Sequence, residues 1–306
     1  MTVKNIHGIL TGDWHLRTAV PICRTDDFFA AMEKKVTFIS DLQRKYNVPI
    51  LDSGDLFESW YNQPYLLAWA IMNMPKGRFL TVAGNHDLQN HNLSLLNNSS
   101  LGLLEAAAIV EVLGTKNGIS SGGLFDKFIV NGCPWTEEPI PIKDDIRKKH
   151  VLLAHYMTYQ GELPWHGLVA TDSAKLLKRV VGYDLIVTGH NHMPFVEKVD
   201  GRLLVNPGSM MRLKADQIDH KPRVYLWDAD ENDVEPVFLP IEEGVVSREH
   251  IASEKERNDR AEAFVQSVNT RYEVEVKFVQ NLESFYSKNK VTRAIKALIS
   301  RACGKG

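Results

Sequence analysis

Apolar positions alternate along the chain between short continuous runs and stripes spaced three or four residues apart. Ile6 to Leu10 reads as a short strand, and Asp26-Asp27 opens a helix carrying Phe28, Met32, Val36, Ile39, Leu42 and Tyr46 on one face. The run Val48-Pro49-Ile50-Leu51 predicts a second strand, Pro64 to Met74 a second helix, and Phe79 to Ala83 a third strand that stops at Gly84. The pattern returns with His150 to Ala154, a helix near Ser173 to Val181, and Leu185 to Thr188. Asp200-Gly201 reads as a hairpin turn, and Val224 to Trp227 and Val234 to Leu239 as late sheet strands. Repeated strand-helix-strand predicts a layered α/β domain over residues 1–241. From Glu242 the composition turns charged and helical, with stripes at Ala261, Phe264, Val265 and Val268 and at Val291, Ile295, Leu298 and Ile299. This predicts a separate small module over residues 242–306.

Bulk properties add limits. A hydrophobic content of 44% in 306 residues supports a sizeable core. With 36 Lys and Arg against 38 Asp and Glu, the net charge of −2 makes no global case for nucleic acid, although local patches can still bind phosphates. No apolar run nears the roughly 20 residues that span a bilayer, and the start Met1-Thr2-Val3-Lys4 has no signal-peptide core, so a cytoplasmic protein without a membrane role is expected. Cys23, Cys133 and Cys303 are far apart and lack C-x-x-C spacing, which reads as reduced, structural cysteine.

The chemistry collects where strands end. Gly12-Asp13-Trp14-His15 follows the first strand, Gly54-Asp55 the second, Gly84-Asn85-His86-Asp87 the third, then come Ala154-His155 and Gly189-His190-Asn191-His192. Loops at the carboxyl ends of strands converge on one edge of an α/β sheet. Residues two apart in extended chain point the same way, which pairs Asp13 with His15 and His190 with His192. Oxygen and imidazole ligands without thiolate suit manganese, iron, zinc or a similar divalent ion. Asp13, His15, Asp55, Asn85, His155, His190 and His192 outnumber the ligands of one ordinary centre, and a central carboxylate could bridge two ions about 3.5–4 Å apart. Asp-x-His alone is a weak signal and Gly-Asp is also ordinary turn chemistry, Gly-Asn-His-Asp and Gly-His-Asn-His are moderately specific, and all five in order, each after a strand, are not chance.

The five segments resemble the calcineurin-like metallophosphoesterase superfamily, with its D-x-H, G-D, G-N-H-D/E, H and G-H-x-H motifs, over about residues 6–210. The resemblance implies a four-layer α/β/β/α sandwich with a small C-terminal α+β cap module, and two divalent ions, manganese first, with magnesium, iron or zinc as alternatives. It also implies that Asp13, His15, Asp55 and His192 hold one metal, that Asp55, Asn85, His155 and His190 hold the second, that His86 protonates the leaving oxygen, and that Asp87 orients His86.

Gly54-Asp55-Leu56-Phe57 and Asp13-Trp14-His15-Leu16 are similar to the Mre11/SbcD-like nuclease branch. That branch implies DNA exonuclease or endonuclease activity in repair or recombination, with a Rad50/SbcC-like ATPase docking on the C-terminal module; a second copy of the chain is a further expected partner. The alternative is a small-substrate metallophosphodiesterase, acting on cyclic nucleotides or similar diesters. The arginine of the G-D-x-x-D-R-G phosphatase motif is missing, which favours a diester. Two positions depart from the branch: Glu58 stands where it often carries histidine, and Tyr156 where it often carries glutamine. Trp14, Glu58, Tyr156 and Arg212 are the candidate substrate contacts, and Trp60, Trp135 and Trp165 further aromatics that could stack on bases. Lys288, Lys290, Arg293, Lys296, Arg301 and Lys305 face only Glu283 and form a basic face that could meet a phosphate backbone or a partner.

Overall fold

A computed structural model describes residues 5–114, 121–142, 148–163, 167–249, 251 and 280–302. The stripe at Ala261 to Val268, Trp165, Cys303 and Lys305 lie outside the described residues. The chain divides into two units, Met1–Ser247 and Arg248–Gly306.

In the first unit the strands run β1 (Gly8–Thr11), β2 (Ile50–Asp52), β3 (Phe79–Val82), β4 (Glu111–Leu113), β5 (Ser121–Leu124), β6 (Phe128–Cys133) and β7 (Lys149–Ala154). They continue with β8 (Thr158–Tyr159), β9 (Thr171–Asp172), β10 (Leu185–Thr188), β11 (Phe195–Val199), β12 (Arg202–Asn206), β13 (Arg223–Asp228) and β14 (Asp233–Phe238). The α-helices are α1 (Phe28–Tyr46), α2 (Pro64–Asn73), α3 (Ser100–Ala106) and α4 (Ser173–Arg179). One six-stranded sheet has the order β14-β13-β1-β2-β3-β4 and the other β11-β12-β10-β7-β6-β5, while β8 and β9 form a separate pair. Both central sections are parallel, and the edges are closed by antiparallel β13–β14, β11 and β5.

The layers follow from residue alternation along these buried strands. Leu10, Leu51, Leu80 and Val82 of the first sheet meet Val151, Leu153, Val187 and Val205 of the second in one apolar layer. Their neighbours Ile9, Ile50 and Phe79 face Phe28, Met32, Val36 and Ile39 of α1, and Leu152, Ile186 and Leu204 face Leu176 and Leu177 of α4. Helix, sheet, sheet, helix is the four-layer sandwich expected from the motifs. The α1 stripe supplies the buried face foreseen from its spacing, and Asp27 caps the helix by accepting from Ala30 N at 3.0 Å. Asp200 and Gly201, both at positive φ, make the tight turn between β11 and β12.

The first unit extends to Ser247, past residue 241. Val245 and Val246 pack on Cys23 and Ala215, and Thr25 N donates to Val245 O while Ser247 N donates to Cys23 O. In the second unit residues 280–288 form α5 and Arg293–Ala302 form α6. Ile295 and Leu298 of the predicted stripe are exposed on α6, and Lys296 lies over the Tyr286 ring at 5.0 Å.

Candidate metal centre

The carboxyl ends of β1, β2, β3, β7 and β10 come together along one edge of the sandwich. Asp13, His15 and His192 offer ligand atoms within 4.8 Å of one another, as do His15, Asp55 and His86, and Asp55, His155 and His190. His15 and Asp55 each belong to two of these groups, so the clusters are continuous. Asn85 Oδ1 lies 3.1 Å from His155 Nε2 and joins the same set.

The backbone is held in uncommon conformations to achieve this. Asp13, His15, Asp55 and His190 all have positive φ, between 48° and 73°. Gly84 allows the third loop to touch the second: a Cβ there would meet Asp55 Oδ1 at 2.0 Å. The first and second loops run side by side, with Asp13 N donating to Gly54 O, His15 N to Asp55 O and Leu16 N to Leu56 O. Asp52 braces the strand ends beneath, accepting from Thr11 Oγ1 at 2.8 Å, Thr81 Oγ1 at 2.7 Å and Gly54 N at 3.1 Å.

Each key carboxylate divides its two oxygens. Asp13 Oδ1 accepts His190 N at 3.0 Å, and Asp13 Oδ2 is buried with no hydrogen-bond partner. Asp55 Oδ1 accepts His86 N at 2.9 Å, while Oδ2 faces His155 Nε2 at 3.3 Å and His15 Nε2 at 3.8 Å. The imidazoles are equally ordered. His155 Nδ1 is on Ser53 O at 2.9 Å and His15 Nδ1 on Glu58 Oε2 at 3.1 Å, which turns both Nε2 atoms inward. His15 Nε2 and His192 Nε2 stand only 3.1 Å apart.

The two imidazole nitrogens converge on one point, and a buried carboxylate oxygen without a donor is costly. Cations at these atoms would satisfy both, so the residues present fit divalent metal. Protonation shows the same demand: burial alone would lower His155, but Asp55 beside it raises it to about 9. Burial also drives Asp13 up, whereas for Asp55 the His155 and His15 charges overcome burial and hold it well below the carboxylate range. Burial depresses His190 to about 4. A fourth group, His7, Asp228 and Asp230, is otherwise engaged: His7 Nδ1 accepts Ala229 N at 3.1 Å and Lys127 holds Asp230 at 2.6 Å.

Several positions differ from the roles expected of them. Asp87 does not orient His86. Its buried carboxylate accepts Gly84 N at 3.0 Å, Phe57 N at 3.0 Å and Leu56 N at 3.3 Å, clamping the third loop to the second. The His86 ring is held instead by Glu58 O, 2.8 Å from Nδ1. Trp14 is fully buried against Phe79, at 5.4 Å, because its neighbours point into the site and it therefore points into the core; it offers no face to a substrate. Tyr156 alternates away from His155 in the same manner, packs on the α4 layer and gives its hydroxyl to Glu138. Arg212 is buried, with Nη2 on Glu242 O at 2.6 Å, so its guanidinium is committed away from the metal cluster. Glu58 is at the site, yet it contacts His15 and Arg17 Nη1, each at 3.1 Å, and serves the ligand rather than a substrate.

Arg17, beside the centre, escapes sequence reasoning, and Trp135, marked there only as an aromatic that could stack on bases, adjoins the candidate ligands. Trp135 lies 4.6 Å from the His190 ring; its signal was the apolar run of β6, whose end joins the same edge. Arg17 meets the centre through Glu58, with Nη1 at 3.1 Å from its carboxylate.

The profile of the calcineurin-like phosphoesterase superfamily domain matches residues 11–231. The chain belongs to the calcineurin-like phosphoesterase superfamily. That superfamily generally binds two divalent metals, and the His and Asp groups described above could hold them. A curated relative, the uncharacterized protein MJ0912 of Methanocaldococcus jannaschii, is 30% identical over 132 residues, 43% of this chain and 47% of that protein. The chain thus spans about half the length of that curated relative. Among solved structures, a novel archaeal phosphodiesterase is similar at TM-score 0.40 and 14% identity, over 76% of this chain and 99% of that one. A metallophosphoesterase from Sphaerobacter thermophilus is similar at TM-score 0.37 and 12% identity, over 77% and 89%. No described helix of this superfamily member is long and apolar enough to cross a membrane.

Proposed function

We propose that this chain hydrolyses phosphodiester bonds of DNA with two divalent ions, as a nuclease acting in repair or recombination. Asp13, His15, Asp55 and His192 would hold one ion, Asp55, Asn85, His155 and His190 the other, and manganese is the expected metal. When bound, the ions supply Lewis acidity at the phosphorus and a nucleophile near neutral pH. The observation that carries the reading is His86: Nδ1 is pinned on Glu58 O and the half-buried ring stands beside His15, 4.9 Å between centroids. With Nδ1–H donated to Glu58 O, the ring is fixed so that its imidazolium form presents the Nε2 proton to a departing oxygen.

A diester is favoured over a monoester because the arginine beside the cluster, Arg17, is engaged by Glu58, and a monoester dianion calls for a free guanidinium. A strand substrate is favoured by Trp60 and the exposed Tyr61, whose rings lie tilted at 54° with centroids 5.6 Å apart in the loop that carries Glu58 and could receive bases. The second unit is the proposed seat of a Rad50/SbcC-like ATPase.

End-labelled DNA incubated with manganese tests the assignment. Cleavage that vanishes in His86→Ala and Asp55→Asn proteins is expected. Negligible DNA cleavage alongside rapid hydrolysis of 2′,3′-cyclic nucleotides would overturn the substrate and leave a small-diester enzyme.

A further inference from the structure

A second concentration of charge lies apart from the metal ligands, where α1 meets the segments around Arg212 and Glu242. Arg24, Lys35 and Arg212 are all buried there, with Lys35 only 2% exposed. They border a cavity of about 180 Å³ together with Lys34, Ile241 and Glu242. The carboxylates near them are fewer. Asp26 takes both its bonds from Arg24, through Nε at 2.8 Å and Nη2 at 2.5 Å, and the Glu242 carboxylate pairs with Lys34 at 2.7 Å on the exposed rim.

The remaining partners are neutral carbonyls. Arg24 Nη1 donates to Arg212 O at 3.2 Å, Arg212 to Glu242 O and Ile218 O at 2.6 and 3.4 Å, and Lys35 Nζ to Met210 O at 2.9 Å. Arg212 Nε is buried with no acceptor, and Lys35 has three N–H groups for one carbonyl. His220, which also faces Lys35 and Arg212, is depressed by burial and adds no negative charge. Guanidinium groups stay charged in proteins, so burying two of them around the one carboxylate of Asp26 leaves positive charge unanswered, and Lys35 beside them adds spare N–H donors.

We propose that this cavity is an anion site for a phosphate dianion, either free or as the terminal group of a mononucleotide. A tetrahedral oxyanion supplies what the cluster lacks, compact negative charge and several acceptors at once. The cavity is joined to the metal site by one residue: Met210 accepts from Lys35 through its carbonyl and donates from its N–H to Asp13 O at 3.1 Å. An occupied site would therefore stiffen the strut that holds a metal-bearing loop.

The test is thermal unfolding of the full chain in EDTA, so that phosphate cannot bind through metal, with inorganic phosphate, AMP, adenosine or chloride at matched ionic strength. A saturable rise in Tm of roughly 5 °C is expected at a hundredfold excess over Kd with phosphate, and none with adenosine or chloride. A rise with AMP assigns the site to phosphomonoesters, and a rise with inorganic phosphate alone assigns it to the free ion. Lys35→Met and Arg212→Gln should each abolish the rise, with folding checked by circular dichroism; Lys35→Met, which removes a buried charge, covers the case in which Arg212→Gln fails to fold. Absence of a saturable rise in the parent, or a rise undiminished in folded Lys35→Met protein, would overturn the proposal whether or not the chain cleaves DNA.

Discussion

Replacing Glu58 with alanine isolates the contribution of a carboxylate that touches a ligand but no metal position. Glu58 Oε2 is 3.1 Å from His15 Nδ1, and its side chain is 31% exposed and shared with Arg17 at 3.1 Å. The Glu58 carboxylate beside Nδ1 favours the tautomer with its proton there, leaving Nε2 to face Asp13 and Asp55, at 3.9 and 3.8 Å. Although burial opposes it, the Glu58 carboxylate and the nearby aspartates raise His15 from its ordinary value. Carboxylates behind ligating histidines typically contribute about 10–100-fold in metal affinity, or about 1.4–2.7 kcal/mol. Sharing with Arg17 and partial exposure place Glu58→Ala near the lower end, about tenfold. Glu58→Gln, which keeps an acceptor and loses the charge, should fall between parent and alanine. Calorimetric titration with manganese reads the affinity, and hydrolysis at saturating metal reads what remains. Parent-like manganese affinity in Glu58→Ala would refute the argument that this position serves His15.

Four further outcomes are expected. Asp87→Ala orphans three buried N–H groups and should cost at least about 3 kcal/mol in urea unfolding, whereas His86→Ala should leave stability near that of the parent and lower kcat about 10²–10⁴-fold. Gly84→Ala places a methyl against Asp55 and should reduce kcat/KM by about 10²-fold or more, measured on the same diester. Lys35, depressed by burial and the two arginines to about 7, binds a proton in the unfolded chain that the folded chain releases between pH 7 and 10.5. Stability in phosphate-free buffer should therefore rise with pH across that window, and the rise should be absent in Lys35→Met. Manganese should raise Tm and EDTA should lower it, because Asp13 and Asp55 repel each other without cations; Asp55→Asn should blunt the difference.

Much of this was legible because the chemistry is tied to strand ends. The positions after Leu10, Leu51, Val82, Ala154 and Thr188 follow directly from hydrophobic runs, and a parallel sheet brings such positions to one edge. Side-chain direction was less legible. Trp14 and Tyr156 sit beside ligands in sequence, and alternation sends them to the opposite side. The role of Asp87 was hidden because its partners are backbone N–H groups of another loop, which no residue pattern announces. Strand β6 escaped because its apolar residues end in Asn131-Gly132, which resembles a turn until the sheet places Gly132 against Leu113. The same limit hid the Arg24–Lys35–Arg212 cluster, whose members are distant in sequence and lack any motif.

The positive-φ residues explain why the loops and the ligand set stand or fall together. Left-handed backbone at Asp13, His15, Asp55 and His190 costs on the order of 1–3 kcal/mol at each residue. Hydrogen bonds between loops offset it, and the same aspartates accept some of them: Asp13 Oδ1 holds His190 N and Asp55 Oδ1 holds His86 N. One oxygen of each carboxylate therefore builds the site while the other is left for cations. It follows that removing either aspartate is not a simple deletion of a ligand. Asp13→Ala frees the G-H-N-H loop as well as vacating a metal position, whereas Asp13→Asn can keep the His190 N bond through its carbonyl oxygen and lose chiefly the ligand. The asparagine variant separates the two functions, with the parent fold and weakened metal affinity as its signature.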